Sequence, residues 1–475
     1  MATGILCLAI FLVMASLMYT RRISALLALP LMAIAISLAG SGLDKAGCDF
    51  LMKDVLAKGS LKMHNAYTTT MFGAMLAELM NKHGMARALV RWVAEFAGDS
   101  PYLLGLAMTL VTALLFSTLG GLWAVIMVGT IILPVMLSLG IPSLACAGLF
   151  LFGISLGGMF NLTNWQLYTD VLGIDKSLIL SFVAPFSLIM AFVVLLFLFI
   201  ELKQKSNLKY FALGTLVLAL AYPWLSSIDP RTQNTESDLG LSYIIALVMI
   251  VVSAGYAIMR QIKADGSASP LLGVPGFALI TPLIPLMFVL VFRWEIIPAF
   301  MLGIAYGVLT TWRRDSINIL TRSIIDGVNN VVPAVLLMVG IGMLITSVMN
   351  ENVSQAIAPI IKAIVPTTAI AYVVVFTVIA PLALYRGPLS LWGMGSGLVT
   401  LVAKVTSLSS QAIMGMLMSV GQIQGICDPT NTQNIWVAAY LGVDTQAILK
   451  KTLPVAWLLV LAGLCLAIAR GFVAF

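Results

Sequence analysis

One register runs through this chain twice. Asn81 falls on Asn350, Trp123 on Trp392, Leu172-Gly173 on Leu441-Gly442, Asp175 on Asp444 and Pro185 on Pro454, all at an offset of 269 with no gap between the first pair and the last. Chance does not hold one register over about a hundred residues, so the chain is built from two copies of one unit. The order of elements repeats as well: two apolar spans, an amphipathic piece (44 to 62; 313 to 330), a span, a second amphipathic piece (82 to 98; 351 to 365), a hairpin and two more spans.

Composition says what surrounds these copies. Hydrophobic residues make up 61% of the chain and charged residues 9%, where a water-soluble domain carries about 25% charged. A larger core cannot absorb the difference, because a folded chain must still cover its own surface. The solvent is lipid. One crossing takes about 20 apolar residues, so 475 residues allow about a dozen crossings and no sizeable soluble domain. The net charge of +7 is scattered over loops without a basic face, which excludes a nucleic-acid binder.

Apolar runs place spans near 3 to 19, 23 to 39, 63 to 80, 143 to 160, 178 to 200, 209 to 225, 240 to 259, 273 to 292, 296 to 311, 331 to 349, 410 to 426 and 453 to 472. The first run has no basic residue before it and no small-residue cleavage site behind it, and reads as an uncleaved span. Residues 101 to 138 and 368 to 405 each hold two shorter apolar pieces around a polar or Gly-rich centre, FSTLGGLW and YRGPLSLWG. Each such stretch predicts a re-entrant hairpin, tolerated in a membrane only where it is buried in protein or lines a cavity.

The sequence therefore predicts an all-α polytopic membrane protein of about 12 crossings. Residues 1–200 form a first inverted repeat, 201–272 a two-span connector and 273–475 a second inverted repeat; each repeat has five spans, one re-entrant hairpin and a broken helix. The inversion follows from parity, since an odd number of crossings per repeat and two in the connector start the second copy on the opposite side. Basic residues fix the orientation: 15 lie on the side reached after the first span, among them Arg21, Arg22, Lys82, Lys203 and Lys205, against 9 on the other, among them Lys45, Lys53 and Arg231. That predicts both termini outside the cytoplasm.

The broken helices carry the chemistry. Residues 143 to 172 and 410 to 441 are too long for one crossing, and each is interrupted by a polar cluster: Asn161, Thr163 and Asn164 in the first, and Asp428 through Asn434 in the second. An unwound turn frees carbonyl, Asn and Thr oxygens for a cation, while half-helix N-termini offer N–H groups to an anion. Pseudo-symmetry would gather both breaks and both hairpin tips into one site. Its expected substrate-binding residues are Ser117, Thr118, Gly120, Gly121, Asn161, Thr163, Asn164, Arg386, Gly387, Thr430, Asn431 and Thr432, and a coupling ion would meet Asp428, Asn161 and Asn434.

Arg386 and Asp428 are charges at depth, each unfavourable by at least ~2.5 kcal/mol. Either Arg386 receives a substrate carboxylate while Asp428 takes the coupling proton or helps hold sodium, or the two neutralise each other as a structural pair. Glu78, a few residues from Lys82, and Lys404, near a hairpin base, read more simply as snorkelling side chains. Nothing supports catalysis, a metal site or a cofactor: HExxH and GxSxG are absent, His64 and His83 stand alone, and Cys7, Cys48, Cys146, Cys427 and Cys465 are scattered. GMGSGL at 393 to 398 follows no strand and reads as a helix-packing surface.

At RRISALLAL (21 to 29), LGIPSLACAGL (139 to 149), FNLTNW (160 to 165) and LGVDTQAILKKTLPVAW (441 to 457) the sequence resembles the citrate-metal symporters and, more distantly, the gluconate permeases of the ion transporter superfamily. The resemblance covers most of the chain outside 201–272, and FNLTNW is its most specific element. It implies an inner-membrane secondary carrier, often dimeric, that moves a carboxylate with protons or sodium by an elevator-like motion; Asn161, Thr163 and Asn164 match the family pattern directly. Metal-citrate carriers have acidic hairpin tips, whereas the tips here are Ser117 to Gly121 and Arg386-Gly387-Pro388. Without tip carboxylates a divalent complex is a poor substrate, and a free di- or tricarboxylate or a sugar acid is expected. The rival expectation is a sodium/proton antiporter, with Asp428 as the exchanged site and Arg386 as its partner.

Overall fold

A computed structural model describes the chain except for residues 1, 21, 203–206, 228–238, 266–272, 387, 388, 390, 391, 393, 394, 474 and 475. Gly387, part of GMGSGL, and the basic residues Arg21, Lys203, Lys205 and Arg231 lie outside the described residues. So does the side chain of Arg386.

The described residues are helical without a strand. The first half contains α1 (Ala2–Tyr19), α2 (Ala25–Ser41), α3 (Lys45–Asp49), a π-helical stretch (Phe50–Lys58), α4 (Gly59–Leu61), α5 (His64–Lys82), α6 (Met85–Ala97), α7 (Pro101–Phe116), α8 (Gly121–Ser138), α9 (Ser143–Phe160), α10 (Leu162–Leu172) and α11 (Lys176–Leu202). α12 (Leu208–Ser226) and α13 (Leu239–Asp265) follow. The second half runs through a 3-10 segment (Gly276–Ile280), α14 (Leu283–Leu290), α15 (Ile296–Thr310), α16 (Ser316–Val348), α17 (Glu351–Ile364), α18 (Ala369–Ile379), a second 3-10 segment (Ala380–Arg386), α19 (Gly395–Val405), α20 (Ser410–Cys427), α21 (Thr432–Leu441) and α22 (Thr445–Ala469).

This is an all-α polytopic membrane protein. Among the described residues α8, α9, α11, α12, α13, α16 and α22 are long and apolar enough to cross a membrane, and α17 with the chain after it passes only as a pair bent by 96°. α5 and α20 have the length but are too polar to qualify, because both line an internal cavity described below. α12 and α13 expose apolar side chains such as Leu216, Leu220, Leu247 and Val251, as a lipid-facing surface requires.

Three expectations are corrected. The amphipathic piece 313–330 and the span 331–349 are one 33-residue helix, α16. The helical period continues unbroken through Asn329-Asn330-Val331-Val332, and Pro333 is accommodated within the helix. The expected span 273–292 is instead a 3-10 turn and the eight-residue α14, because Pro275, Pro282 and Pro285 remove N–H donors at short intervals. The offset of 269 is also not constant. α9 and α20 begin and end in register at 267, pairing Ser143 with Ser410, Gly148 with Gly415 and Gly158 with Gly425, whereas the C-caps Gly173 and Gly442 pair at 269. The slack lies in the breaks: one residue separates α9 from α10, and four separate α20 from α21.

The halves interlock. α8 packs on α21, where Gly129 admits Trp436 so closely that a Cβ would stand 2.5 Å from its ring, and reciprocally α19 packs on α10. Ser155 and Gln422, equivalent at the offset of 267, are hydrogen-bonded to each other at 2.6 Å. α9 and α20 thus meet directly.

Candidate functional site

The first break is a single residue. Asn161 leaves the helical conformation (φ −68°, ψ 120°), and its Oδ1 accepts from the Thr163 N–H to cap α10. Its Nδ2 donates to the carbonyls of Phe116 (3.0 Å) and Leu119 (2.9 Å), the end of α7 and the turn of the first hairpin. Asn161 thus straps the hairpin tip to the break. Asn164 Nδ2 and Trp165 Nε1 turn back on the carbonyls of Gly158 and Met159, both at 2.7 Å, and close the end of α9.

The second break solves the same problem with more residues. Asn431, Gln433 and Asn434 donate their amide N–H groups to three successive carbonyls at the end of α20: Gln424 (3.4 Å), Gly425 (2.8 Å) and Ile426 (3.0 Å). A helix end buried in a membrane needs such partners, since water is absent. Asp428 is fully buried and accepts from both the N–H (2.8 Å) and the Oγ1 (2.7 Å) of Thr430, which shapes the turn. Asn434 is 1% exposed, and its Oδ1 has no partner among the described residues.

Between the breaks lies a cavity of two adjoining lobes, about 350 Å³ and about 290 Å³, within the range of small-molecule sites. They share Gly121, Ile154, Gly158, Asn164, Trp392 and Gln433. The larger lobe adds Ser155, Gln422, Gln424, Asn431 and Thr432; the smaller adds Thr118, Gly120, Asn161 and Thr163, with Thr70 of α5 and Asn330 of α16. Among the described residues the lining carries hydroxyls and amides but no charged side chain. The first turns of α8, α10 and α21 all face it, and each brings the positive end of a helix dipole, with the Thr163 N–H of α10 capped by Asn161. The amide nitrogens of Asn164, Asn431 and Gln433 are committed to the helix ends, and their oxygens accept no hydrogen bond from the described residues.

Of the residues expected at the site, Thr118, Gly120, Gly121, Asn161, Thr163, Asn164, Asn431 and Thr432 line the cavity. Ser117, Thr430, Asp428 and Asn434 do not. Ser117 is buried and donates to the Leu114 carbonyl at 2.7 Å, while the other three lie behind the second break. Lys404 caps the end of α16 by donating to the Met349 carbonyl at 2.8 Å. Sequence reasoning missed Gln422 and Gln424, two amides inside an apolar run, and Trp392, which is the repeat partner of Trp123 and brings the second hairpin to both lobes.

Two broken helices around an amide-lined cavity define the class: a polytopic helical membrane protein with an internal cavity of small-molecule size. No protein-family model matches the sequence and no curated protein matches it, so the likeness to citrate-metal symporters rests on the segments quoted above. The fold is similar to that of the Alcanivorax borkumensis YdaH transporter, with a TM-score of 0.53 and 14% identity over 94% of this chain and 97% of that one. At that identity the similarity is one of fold.

Proposed function

We propose that the protein is a secondary active carrier, and not an enzyme, which moves an organic anion across the inner membrane by proton- or sodium-coupled symport. The anion is a di- or tricarboxylate or a sugar acid. The carrying observation is the central cavity onto which three helix N-termini converge. Anionic oxygens are stabilised there without a resident cation, and the hydroxyls and amides around them suit a ligand rich in carboxylate and hydroxyl groups. The similar fold of a transporter supports transport, and the repeat read from the sequence would supply the pseudo-symmetry that alternating access uses. Arg386 is the sequence's candidate for the substrate carboxylate, and by the positive-inside rule both termini would lie outside the cytoplasm.

The test is thermal unfolding of the purified protein with citrate, succinate or gluconate, with and without sodium. One of them is expected to raise the midpoint, equivalent to about 2.7 kcal/mol at a hundredfold excess over Kd. If none shifts it and proteoliposomes exchange none of the three, the symport reading is wrong. Uptake left unaltered by both Arg386→Ala and Arg386→Lys removes Arg386 from the anion site.

A sodium/proton antiporter is the second reading, favoured by the fully buried Asp428 and by Asn434 Oδ1, which has no partner among the described residues. An Asp428→Asn protein that still exchanges sodium for protons as fast as wild type excludes that role.

A further inference from the structure

Ala74, Glu78 and Lys82 follow one another on α5 at four-residue steps, which a helix sets along one face, each about 6 Å beyond the last. Ala74 belongs to the wall of the smaller lobe, with Asn330 and Val331 of α16. Glu78 therefore stands one turn beyond the cavity and Lys82 one turn beyond Glu78. α16 crosses α5 at Gly327, where a Cβ would meet the Ala74 carbonyl oxygen and the Met75 nitrogen at 2.8 Å. The adjacent Asp326 takes the Lys82 ammonium in a close ion pair. Exposure falls along this line toward the cavity: the side chain of Asp326 is 51% exposed, Lys82 22% and Glu78 6%.

Two carboxylates thus share one ammonium, and not equally. Lys82 Nζ is given to Asp326 and lies 3.6 Å from Glu78 Oε1, beyond hydrogen-bond length. Glu78 Oε2 has no partner among the described residues, and the polar side chains beside the carboxylate are Lys82 and Asn81 of its own helix. An ionised, buried carboxylate left this way is strongly unfavourable, and a proton removes the excess charge. The charges acting on Glu78 are Lys82 from its own helix and Asp326 from α16. Groups on the other elements against α5 are occupied or turned away. Asp170 of α10 accepts from Asn65 and Ala66 at the far end, and Tyr306 of α15 donates to the Phe277 carbonyl. His83, just past the end of α5, is bonded to Thr311, and Arg87 and Arg91 of α6 are exposed.

We infer that Glu78 is a proton-binding site that drives the carrier, with Lys82 shared between Glu78 and Asp326 as the group that answers its charge. A proton from water reaches a Glu78 carboxylate oxygen past the half-exposed Asp326, giving the neutral acid, and Lys82 then pairs with Asp326 alone. When the proton returns to water, Lys82 is shared by both carboxylates. This inference rests on the carrier reading and goes beyond it, since it names protons as the coupling ion and places their site outside both breaks.

The experiment compares two assays in proteoliposomes, using whichever of radiolabelled citrate, succinate or gluconate the wild type exchanges. Counterflow needs no net proton movement, whereas accumulation under an imposed pH gradient does. Glu78→Gln is expected to keep counterflow within about twofold of wild type and to lose gradient-driven accumulation, and Glu78→Asp to restore it. A Glu78→Gln protein that accumulates substrate like wild type overturns the inference, as does a wild type driven by sodium and indifferent to pH. Where Glu78→Gln also loses counterflow, the pH dependence of the thermal midpoint decides: a profile superimposable on wild type rejects proton binding at Glu78, and loss of a pH-dependent step supports it. A wild type without counterflow of any of the three anions counts against the carrier reading itself, a separate failure.

Discussion

Asn161 shows how one side chain can hold two elements in place. It leaves the helix, caps the next one, and spends both amide hydrogens on the turn of the first hairpin. Asn161→Ala leaves the Phe116 and Leu119 carbonyls without donors in a buried setting, which is expected to lower stability by about 2 kcal/mol, read as a fall in the thermal midpoint in detergent. A second residue-scale prediction concerns His83, just beyond α5. The Thr311 hydroxyl donates to the Gly307 carbonyl, so the His83 ring must donate from Nδ1 to Thr311, which leaves Nε2 buried and bare. Burial, with Arg313 and Arg260 adding to it and Asp315 and Thr311 opposing, holds the imidazole down at about 4, against 6.5 ordinarily. The unfolded chain thus binds a proton between these values while the folded chain does not. Stability from this group is complete above pH 6.5 and is lost as the pH falls toward 4, so the acid-side decline of the thermal midpoint should be shallower in His83→Gln.

Among the elements, glycines set where helices approach, and two close approaches differ in what they meet. At Gly129 of α8 an added methyl meets the Trp436 ring, whereas at Gly327 of α16 it meets the backbone of α5. A side chain can move and a helix backbone cannot. Gly129→Ala should therefore be rescued by Trp436→Leu, while Gly327→Ala should destabilise by about 1–3 kcal/mol with no second-site relief. Thermal midpoints of the single and double variants test both statements. The same elements show what a sequence makes legible. The all-helical membrane character and the two helix breaks follow from hydropathy and polar clusters, and the residues around Asn161 were visible because amides at membrane depth are conspicuous. The fusion of α16 was not legible, since a change from amphipathic to apolar pattern looks like a boundary even when the helical period runs on. Nor was the retreat of Asp428 and Thr430 behind the second break, because a polar cluster shows where a helix stops but not which of its side chains turn outward. The cavity-lining amides of α20 were overlooked for a related reason: Gln422 and Gln424 sit inside a run whose average is apolar.

At the scale of the whole molecule the two halves share an order of elements but not a mechanical character. In the first half the amphipathic piece and the following span are jointed at Lys62 and Met63, between α4 and α5; in the second half the corresponding pieces are the single rod α16. A 33-residue helix is about 50 Å long against a hydrocarbon layer of about 30 Å, so it must tilt or project. In the carrier proposed above, two identical copies exchanging shapes would make the two-fold-related states equal in energy. A continuous helix in one copy against a jointed one in the other would lift that equality and give the carrier a preferred resting side even in a symmetric bilayer with no gradient across it.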